Sequence, residues 1–229
     1  MILDAAHMMG TKVEREYSGE KILSQVGYDA DVVVFSFQSV KNLPTADSGM
    51  ICFKNGDYDE LARKLSWLGI DKDTFKRTNE SGNYKWDYDV IDCGFKAHGN
   101  SIMASMAIVG LKYLDEDNLF RSKVCQKYDI GFKDCSKIQI INHRSDCKSS
   151  KHLYQIRVKN RNDVMQYLNN NNIFPGVHYK DNTQYDMYQY AYGSCPNAHN
   201  FSDELISLPL HLFLTDEQID YIITKVKEA

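Results

Sequence analysis

The sequence predicts an α/β protein, in which part of a large domain with a mixed sheet is followed by a small α+β domain at the C-terminus. Three observations carry this. Asp31–Phe35 is a run of β-branched and aromatic residues without polar alternation, the pattern of a strand buried on both faces in a mostly parallel sheet. Met1-Ile-Leu-Asp4 is a second short apolar run, and it closes on an acid. Beyond about residue 118, short strands and helices alternate and end in a strongly amphipathic helix, which reads as an α+β layer pair. In open α/β sheets, ligands bind at the carboxyl edge of the strands. The residues just after Asp4 and just after Phe35 are therefore the ones to inspect for chemistry.

The elements follow in order. Thr11–Gly27 is polar and contains glycine, and reads as a loop or irregular excursion. Met50–Phe53 reads as a strand returning beside the one at 31–35. Asp57, with Glu60 three residues on, has the form of a capping box, and Leu61, Leu65 and Leu68 follow at helical spacing until Gly69 stops the helix. Asp71–Asp89 is rich in charge, Asn, Gly and aromatic residues without a period, so it reads as a long loop, a kind that often serves a site. Asn100 caps a helix whose apolar residues, Ile102, Met103, Met106, Val109, Gly110, Tyr113 and Leu114, cover most of its circumference; such a helix is expected to be buried. It continues or restarts past Asp115–Asp117 and crosses into the second domain, with the boundary between 118 and 119. There, Lys137–Asn142 and Leu153–Val158 read as strands and Arg161–Leu168 as a helix ended by the Asn169–Asn172 run. Ile173–Tyr179 reads as extended, broken at Pro175-Gly176. Thr215 with Gln218 forms a second capping box before Ile219, Ile222, Ile223 and Val226.

Composition limits the function classes. The hydrophobic content of 43% and aromatic content of 12% are those of a globular chain, and a net charge of −4 from 27 basic and 31 acidic residues leaves no basic stripe for a nucleic-acid backbone. No apolar stretch approaches the roughly twenty residues needed to span a bilayer, and no basic leader opens the sequence, so a cytoplasmic protein is expected. Six cysteines lack CxxC or zinc-like spacing and read as reduced structural thiols.

The two strand ends bring four chemical groups into view. Asp4 and, three residues on, His7 follow the first strand. Ser36 closes the second, and Lys41 lies five residues further, before Pro44 and a turn of small residues. An acid, an imidazole, a hydroxyl and an amine on one rim suit pyridoxal 5'-phosphate chemistry. There a lysine amine carries the cofactor and a carboxylate keeps the pyridine nitrogen protonated.

Asp4-Ala5-Ala6-His7, followed after a buried strand by Ser36-Phe37-Gln38-Ser39-Val40-Lys41-Asn42, resembles the paired signature of the DegT/DnrJ/StrS family of PLP-dependent nucleotide-sugar aminotransferases. Asp92-Cys93-Gly94-Phe95-Lys96 is similar to that family's dimer-contact segment. Gly176-Val177-His178-Tyr179, Ser207-Leu208-Pro209-Leu210-His211 and Leu214-Thr215-Asp216-Glu217-Gln218 match its C-terminal domain in order. The resemblance implies the aspartate-aminotransferase fold (PLP fold type I), with residues 1–118 as the C-terminal part of the cofactor domain and 119–229 as the small domain. It implies Lys41 as the catalytic, cofactor-carrying lysine, Asp4 at the ring nitrogen, His7 beside the ring hydroxyl and Ser36 on the phosphate. Lys96 would reach the cofactor phosphate of a partner in a homodimer, and His178 and Tyr179 would line the sugar-nucleotide pocket. The implied reaction moves an amino group, from glutamate as donor, to a keto carbon of a nucleotide-linked deoxysugar.

Two departures from the family pattern stand out. Gly94-Phe95-Lys96-Ala97-His98 has Lys96 in place of the family's Asn and His98 in place of its Arg, which leaves open how the donor carboxylate is held. The family's segment before the Asp strand, with its Gly/Ser/Thr turn for the phosphate, has no counterpart, so the sequence reads as an N-terminally truncated protein. The alternatives are a catalytically silent fragment or regulatory subunit of the same fold, and a PLP-dependent sugar dehydratase. Dehydrating relatives carry a histidine where Lys41 stands.

Overall fold

The computed structural model describes residues 1–71 and 88–229; the greater part of the long loop expected over 71–89 lies outside the described residues. Two compact units emerge. One comprises Met1–Met9 with Leu23–Leu114, and the other Gly10–Ile22 with Asp115–Ala229.

The first unit is built on a three-stranded mixed sheet of order β1-β4-β5. Ile2–Asp4 (β1) runs parallel to Val32–Ser36 (β4), with Asp4 opposite Val34, and Gly49–Phe53 (β5) returns antiparallel, with Ser36 opposite Gly49. Because side chains alternate along a strand, Leu3, Val33, Phe35 and Cys52 share one face, where they pack with Ala5, Ala30 and Met8. The opposite face carries Ile2, Asp4, Val34, Ser36 and Ile51, and it is open: Ile2 is 76%, Val34 38% and Ile51 48% exposed. The expectation of a strand buried on both faces is thus corrected: β4 buries only Val33 fully. Its all-apolar sequence reflects two faces that want cover, of which the described residues supply one.

Gly56–Ser66 (α1) follows β5. Its cap is Asn55, whose side chain accepts the Asp57 N–H at 2.8 Å, rather than the Asp57–Glu60 pair expected from spacing. An Asx cap two residues earlier satisfies the same backbone donors. Gly69 ends the turn at φ +73°, where a Cβ would lie 1.9 Å from the Asp92 carbonyl oxygen, so only glycine fits. Ser101–Leu111 (α2) is capped by Asn100, which accepts the Met103 N–H at 3.0 Å. No residue of α2 is fully buried, contrary to the expectation for so apolar a helix; Ile102 and Ile108 are 76% and 62% exposed.

Lys12–Tyr17 (β2), in the second unit, and Glu20–Gln25 (β3), whose last three residues belong to the first, flank a turn at Ser18-Gly19 in which both residues have positive φ, the turn suited to a hairpin. With Cys147–Lys148 (β7) they give a small sheet of order β3-β2-β7. This replaces the irregular excursion expected over 11–27. The main core lies between a second sheet of order β6-β8-β9 and the helices. Its strands are Ile138–Ile140 (β6), Tyr154–Val158 (β8) and Leu205–Leu208 (β9), all antiparallel. The helices are Leu114–Phe132 (α3), which begins at the unit boundary, Arg161–Asn170 (α4), Pro196–Glu204 (α5) and Asp216–Glu228 (α6). Ile156, Leu168 and Ile206 are wholly buried, and Ile219, Ile222 and Val226 of α6 pack on them as their spacing required. The capping box of α6 is present in both arms: the Gln218 N–H donates to Thr215 Oγ1 at 3.3 Å, and the Thr215 N–H to Gln218 Oε1 at 3.0 Å.

Candidate active site

The site is assembled at the carboxyl edge of β1 and β4. Parallel register places Asp4 beside Val34, so Ser36 lies two residues further along the neighbouring strand on the same open face, about 7 Å on. The Asp4 carboxylate is exposed and accepts the Ala6 N–H at 3.0 Å, which fixes the turn that follows β1. In that turn the Ala5 N–H donates to the Val34 carbonyl at 2.8 Å and the Met8 N–H to the Ala5 carbonyl at 2.9 Å, which keeps the half-buried His7 within three residues of Asp4. This Asx-type turn uses one carboxylate oxygen of Asp4. Its other oxygen has no ion-pair partner among the described residues.

Ser36 ends β4, and its Oγ accepts the Gln38 N–H over a long 3.4 Å. The chain then turns twice. The Val40 N–H donates to Gln38 Oε1 at 3.0 Å, the Gln38 amide donates to Ser39 Oγ at 2.9 Å, and the Lys41 N–H donates to the Gln38 carbonyl at 2.8 Å. Asn42 and Leu43 are buried immediately after, at 6% and 1% exposure. Leu43 packs with Phe37 and Leu114 and reaches over Gly110 of α2, where a Cβ would meet its Cδ1 at 2.8 Å. Lys41 is the half-exposed residue between a turn and this anchor. Its amine has no ion-pair or hydrogen-bond partner among the described residues.

A carboxylate, a hydroxyl and a free amine on one sheet rim are a donor set that fits pyridoxal phosphate. The carboxylate suits a protonated ring nitrogen, the hydroxyl the phosphate and the amine the aldehyde. In the same unit a cleft of ≈ 840 Å³ runs between β5 and α1, with Met50, Ile51 and Phe53 on one side and Arg63, Trp67 and His98 on the other. Lys96 pairs with Trp67 in an isolated bridge and lays its Nζ over the indole ring, 3.6 Å from the centroid. His98 meets the same ring edge-on at 4.0 Å. Loss of solvent and the Lys96 charge hold the His98 imidazole below its usual range, so it is neutral at pH 7. Lys96 and His98 thus both rest on one indole.

In the second unit, His178 Nδ1 lies 2.9 Å from Ser207 Oγ and its carbonyl accepts the Gln155 amide at 2.7 Å, while Tyr179 is 59% exposed. The Gly176 and Ser207 N–H and carbonyl groups exchange both hydrogen bonds, at 2.8 and 2.9 Å, so this segment is stitched to β9. Two features here escaped the sequence reading. One is β9 itself, the four residues Leu-Ile-Ser-Leu, all buried and without alternation. The other is a cavity of ≈ 530 Å³ lined by Lys180, Thr183, Gln184, Gln189, Tyr192 and His199. At its rim the buried Asp181 accepts the Thr183 N–H and Oγ1–H at 2.9 and 2.8 Å, and lies 3.7 Å from His199. Asp181-x-Thr183 is an Asx-turn signal that could have been read.

Comparison with known proteins identifies the family and the fold. The model of the DegT/DnrJ/EryC1/StrS aminotransferase family matches residues 1–227. The spore coat polysaccharide biosynthesis protein SpsC of Bacillus subtilis is 26% identical over 236 residues, covering 98% of this chain and 58% of SpsC. A UDP-4-amino-4,6-dideoxy-N-acetyl-beta-L-altrosamine transaminase of Campylobacter jejuni is 29% identical over 218 residues, covering 92% of this chain and 53% of the transaminase. Among solved structures, the PMP-form of Streptococcus pneumoniae Spr1654, a candidate sugar aminotransferase, superposes with a TM-score of 0.83 at 31% identity, over 99% of this chain and 58% of that one. The chain therefore spans somewhat more than half the length of the relatives it matches, and its fold is that of the PLP-dependent sugar aminotransferases of fold type I. On the extent of the family match, the chain belongs to the DegT/DnrJ/EryC1/StrS aminotransferase family.

Proposed function

We propose that the protein of which this chain forms the catalytic-lysine part transfers an amino group from an amino acid, with glutamate as donor, to a keto carbon of a nucleotide-linked deoxysugar. The observation that carries the reading is the register of β1 on β4. It puts Asp4 and the Ser36–Lys41 loop on one rim, inside a match to an aminotransferase family along nearly the whole chain. Pyridoxal phosphate supplies an electron sink for the charge that develops when a substrate carbon loses its proton.

The chain's own residues do the rest. Lys41 Nζ would hold the cofactor at its aldehyde carbon and would serve as the base that moves a proton to and from the substrate carbon. Asp4 would hold the protonated ring nitrogen through the carboxylate oxygen its turn does not use, Ser36 Oγ would hold the phosphate and His7 the ring hydroxyl. In a homodimer, Lys96 would hold the partner's cofactor phosphate, and His178 and Tyr179 would bind the sugar nucleotide. Residues 1–118 act as part of the cofactor domain and 119–229 as the small domain. Six unpaired thiols are in keeping with a cytoplasmic setting, and no helix among the described residues is long and apolar enough to cross a membrane.

The second reading, a catalytically silent chain of the same fold, draws support from the open face of the β1-β4-β5 sheet. An amino-transfer assay with glutamate and a panel of nucleotide-linked keto sugars, run beside a Lys41→Ala variant, decides between them. Amino-sugar formation that disappears in the variant supports the transferase. Formation that survives it removes Lys41 from the catalytic role, and no formation in either protein, together with no visible absorption on adding the cofactor, supports the silent chain.

A further inference from the structure

We infer that Thr45 is the positioning residue of the Lys41 loop: its hydroxyl, with Ser48, clasps the loop's two ends and fixes where the lysine amine stands. The inference rests on the reading of Lys41 as the cofactor lysine.

The loop leaves β4 at Ser36 and rejoins β5 at Gly49, and its closure converges on one peptide group, that of Phe37. The Phe37 N–H donates to the Ser48 carbonyl at 2.7 Å, and the Thr45 N–H donates to the Phe37 carbonyl at 2.8 Å. Thr45 Oγ1 adds a second donor to that carbonyl at 3.3 Å and makes a close hydrogen bond with Ser48 Oγ. One hydroxyl thus ties residues 37, 45 and 48 together. Thr45 is wholly buried and Phe37 4% exposed, so water cannot replace these bonds.

The bonds of Gln38 and the burial of Leu43 hold the loop from within, while the Thr45 clasp holds its base. Lys41 lies midway round the ring of residues 37–45 so closed. Its amine sits at the end of four flexible methylenes, so the fixed reference for its reach is its own backbone, and the clasp sets that backbone. Fixing a reacting group's position before the reaction is worth orders of magnitude in effective concentration, and a hydroxyl without acid or base chemistry contributes through that alone. The chain spends a buried threonine here where valine would pack as well, and the geometry states its use.

The test uses the full chain and its Thr45→Val, Thr45→Ser and Ser48→Ala variants. Each is incubated with pyridoxal phosphate over pH 6–9 and reduced with borohydride, and the occupancy of every lysine is measured by peptide mass spectrometry, beside circular dichroism of each protein. The parent is expected to label chiefly at Lys41. Thr45→Val should lose about tenfold in Lys41 selectivity over surface lysines with its circular dichroism unchanged, and Thr45→Ser should recover the parent's pattern. Should Thr45→Val not fold, Ser48→Ala, which removes only the hydroxyl's second partner, must show the same direction of change. Parent-like selectivity in a folded Thr45→Val, or in Ser48→Ala, would overturn the inference. A parent that labels elsewhere than Lys41 would instead overturn the functional reading on which it rests, and the inference with it.

Discussion

Replacing Asp4 with asparagine separates the two things this side chain does. One oxygen accepts the Ala6 N–H at 3.0 Å and shapes the turn after β1; in the proposed function the other faces the cofactor's ring nitrogen. Asparagine keeps a carbonyl oxygen for Ala6, so the turn survives and the thermal midpoint should move by less than the equivalent of about 0.5 kcal/mol. It removes the charge that holds the ring proton. A hydrogen bond to a charged group contributes about 1.5–3 kcal/mol against about 0.5–1.5 for a neutral pair. Loss of the difference, about 1–2 kcal/mol, lowers the rate of the proton-transfer step by roughly five- to thirtyfold. Alanine at the same position removes both roles and should add about 0.5–1 kcal/mol of destabilisation from the lost cap. Single-turnover amino transfer by the complete protein, read beside thermal unfolding, makes the comparison. If Asp4→Asn and parent turn over equally while Asp4→Ala is destabilised, Asp4 is a cap and the assignment at the ring nitrogen is refuted.

Two further predictions concern the rest of the chain. Ile206 is wholly buried on β9 within the main core, so Ile206→Ala should cost about 3–4 kcal/mol by urea unfolding followed by circular dichroism; a loss under 1 kcal/mol would mean that the core closes over the site or that β9 is misplaced. The His98 imidazole lies below its ordinary value of 6.5 because of lost solvent and the Lys96 charge. It gains its proton only as pH falls below 6.5, and any hold it has on a donor carboxylate strengthens in that direction. Lys96→Met should move its titration upward, read by NMR of the ring protons; an unmoved titration would show that Lys96 does not face it.

How much of this was legible in the sequence depended on whether the governing interaction was local. The α6 capping box was read correctly because Thr215 and Gln218 bond to each other's backbone, and β4 because its β-branched run has no helical period. The Asp4 and Lys41 segments were found because both follow strand ends. The hairpin of β2 and β3 is hard to read because Lys12, Glu14 and Glu16 make one face polar and Arg15 interrupts the other, which leaves the Ser18-Gly19 turn as its main signal. The Asn55 cap was missed in favour of Asp57, since both types accept backbone N–H groups and spacing alone could not rank them. The exposure of α2 and of one face of β4 was beyond sequence reading, because periodicity tells which surfaces are apolar and not what covers them. Thr45 escaped for a related reason: its partners, Phe37 and Ser48, meet it only once the loop has closed.

The central claim is that Lys41 carries the cofactor, and the most direct measurement of it is borohydride reduction of the complete protein loaded with pyridoxal phosphate, followed by peptide mapping. The account predicts a visible absorption band that the reductant abolishes and a single reduced adduct on Lys41, lost in Lys41→Ala. A principal adduct on any other lysine, or a band that survives in Lys41→Ala, would contradict it.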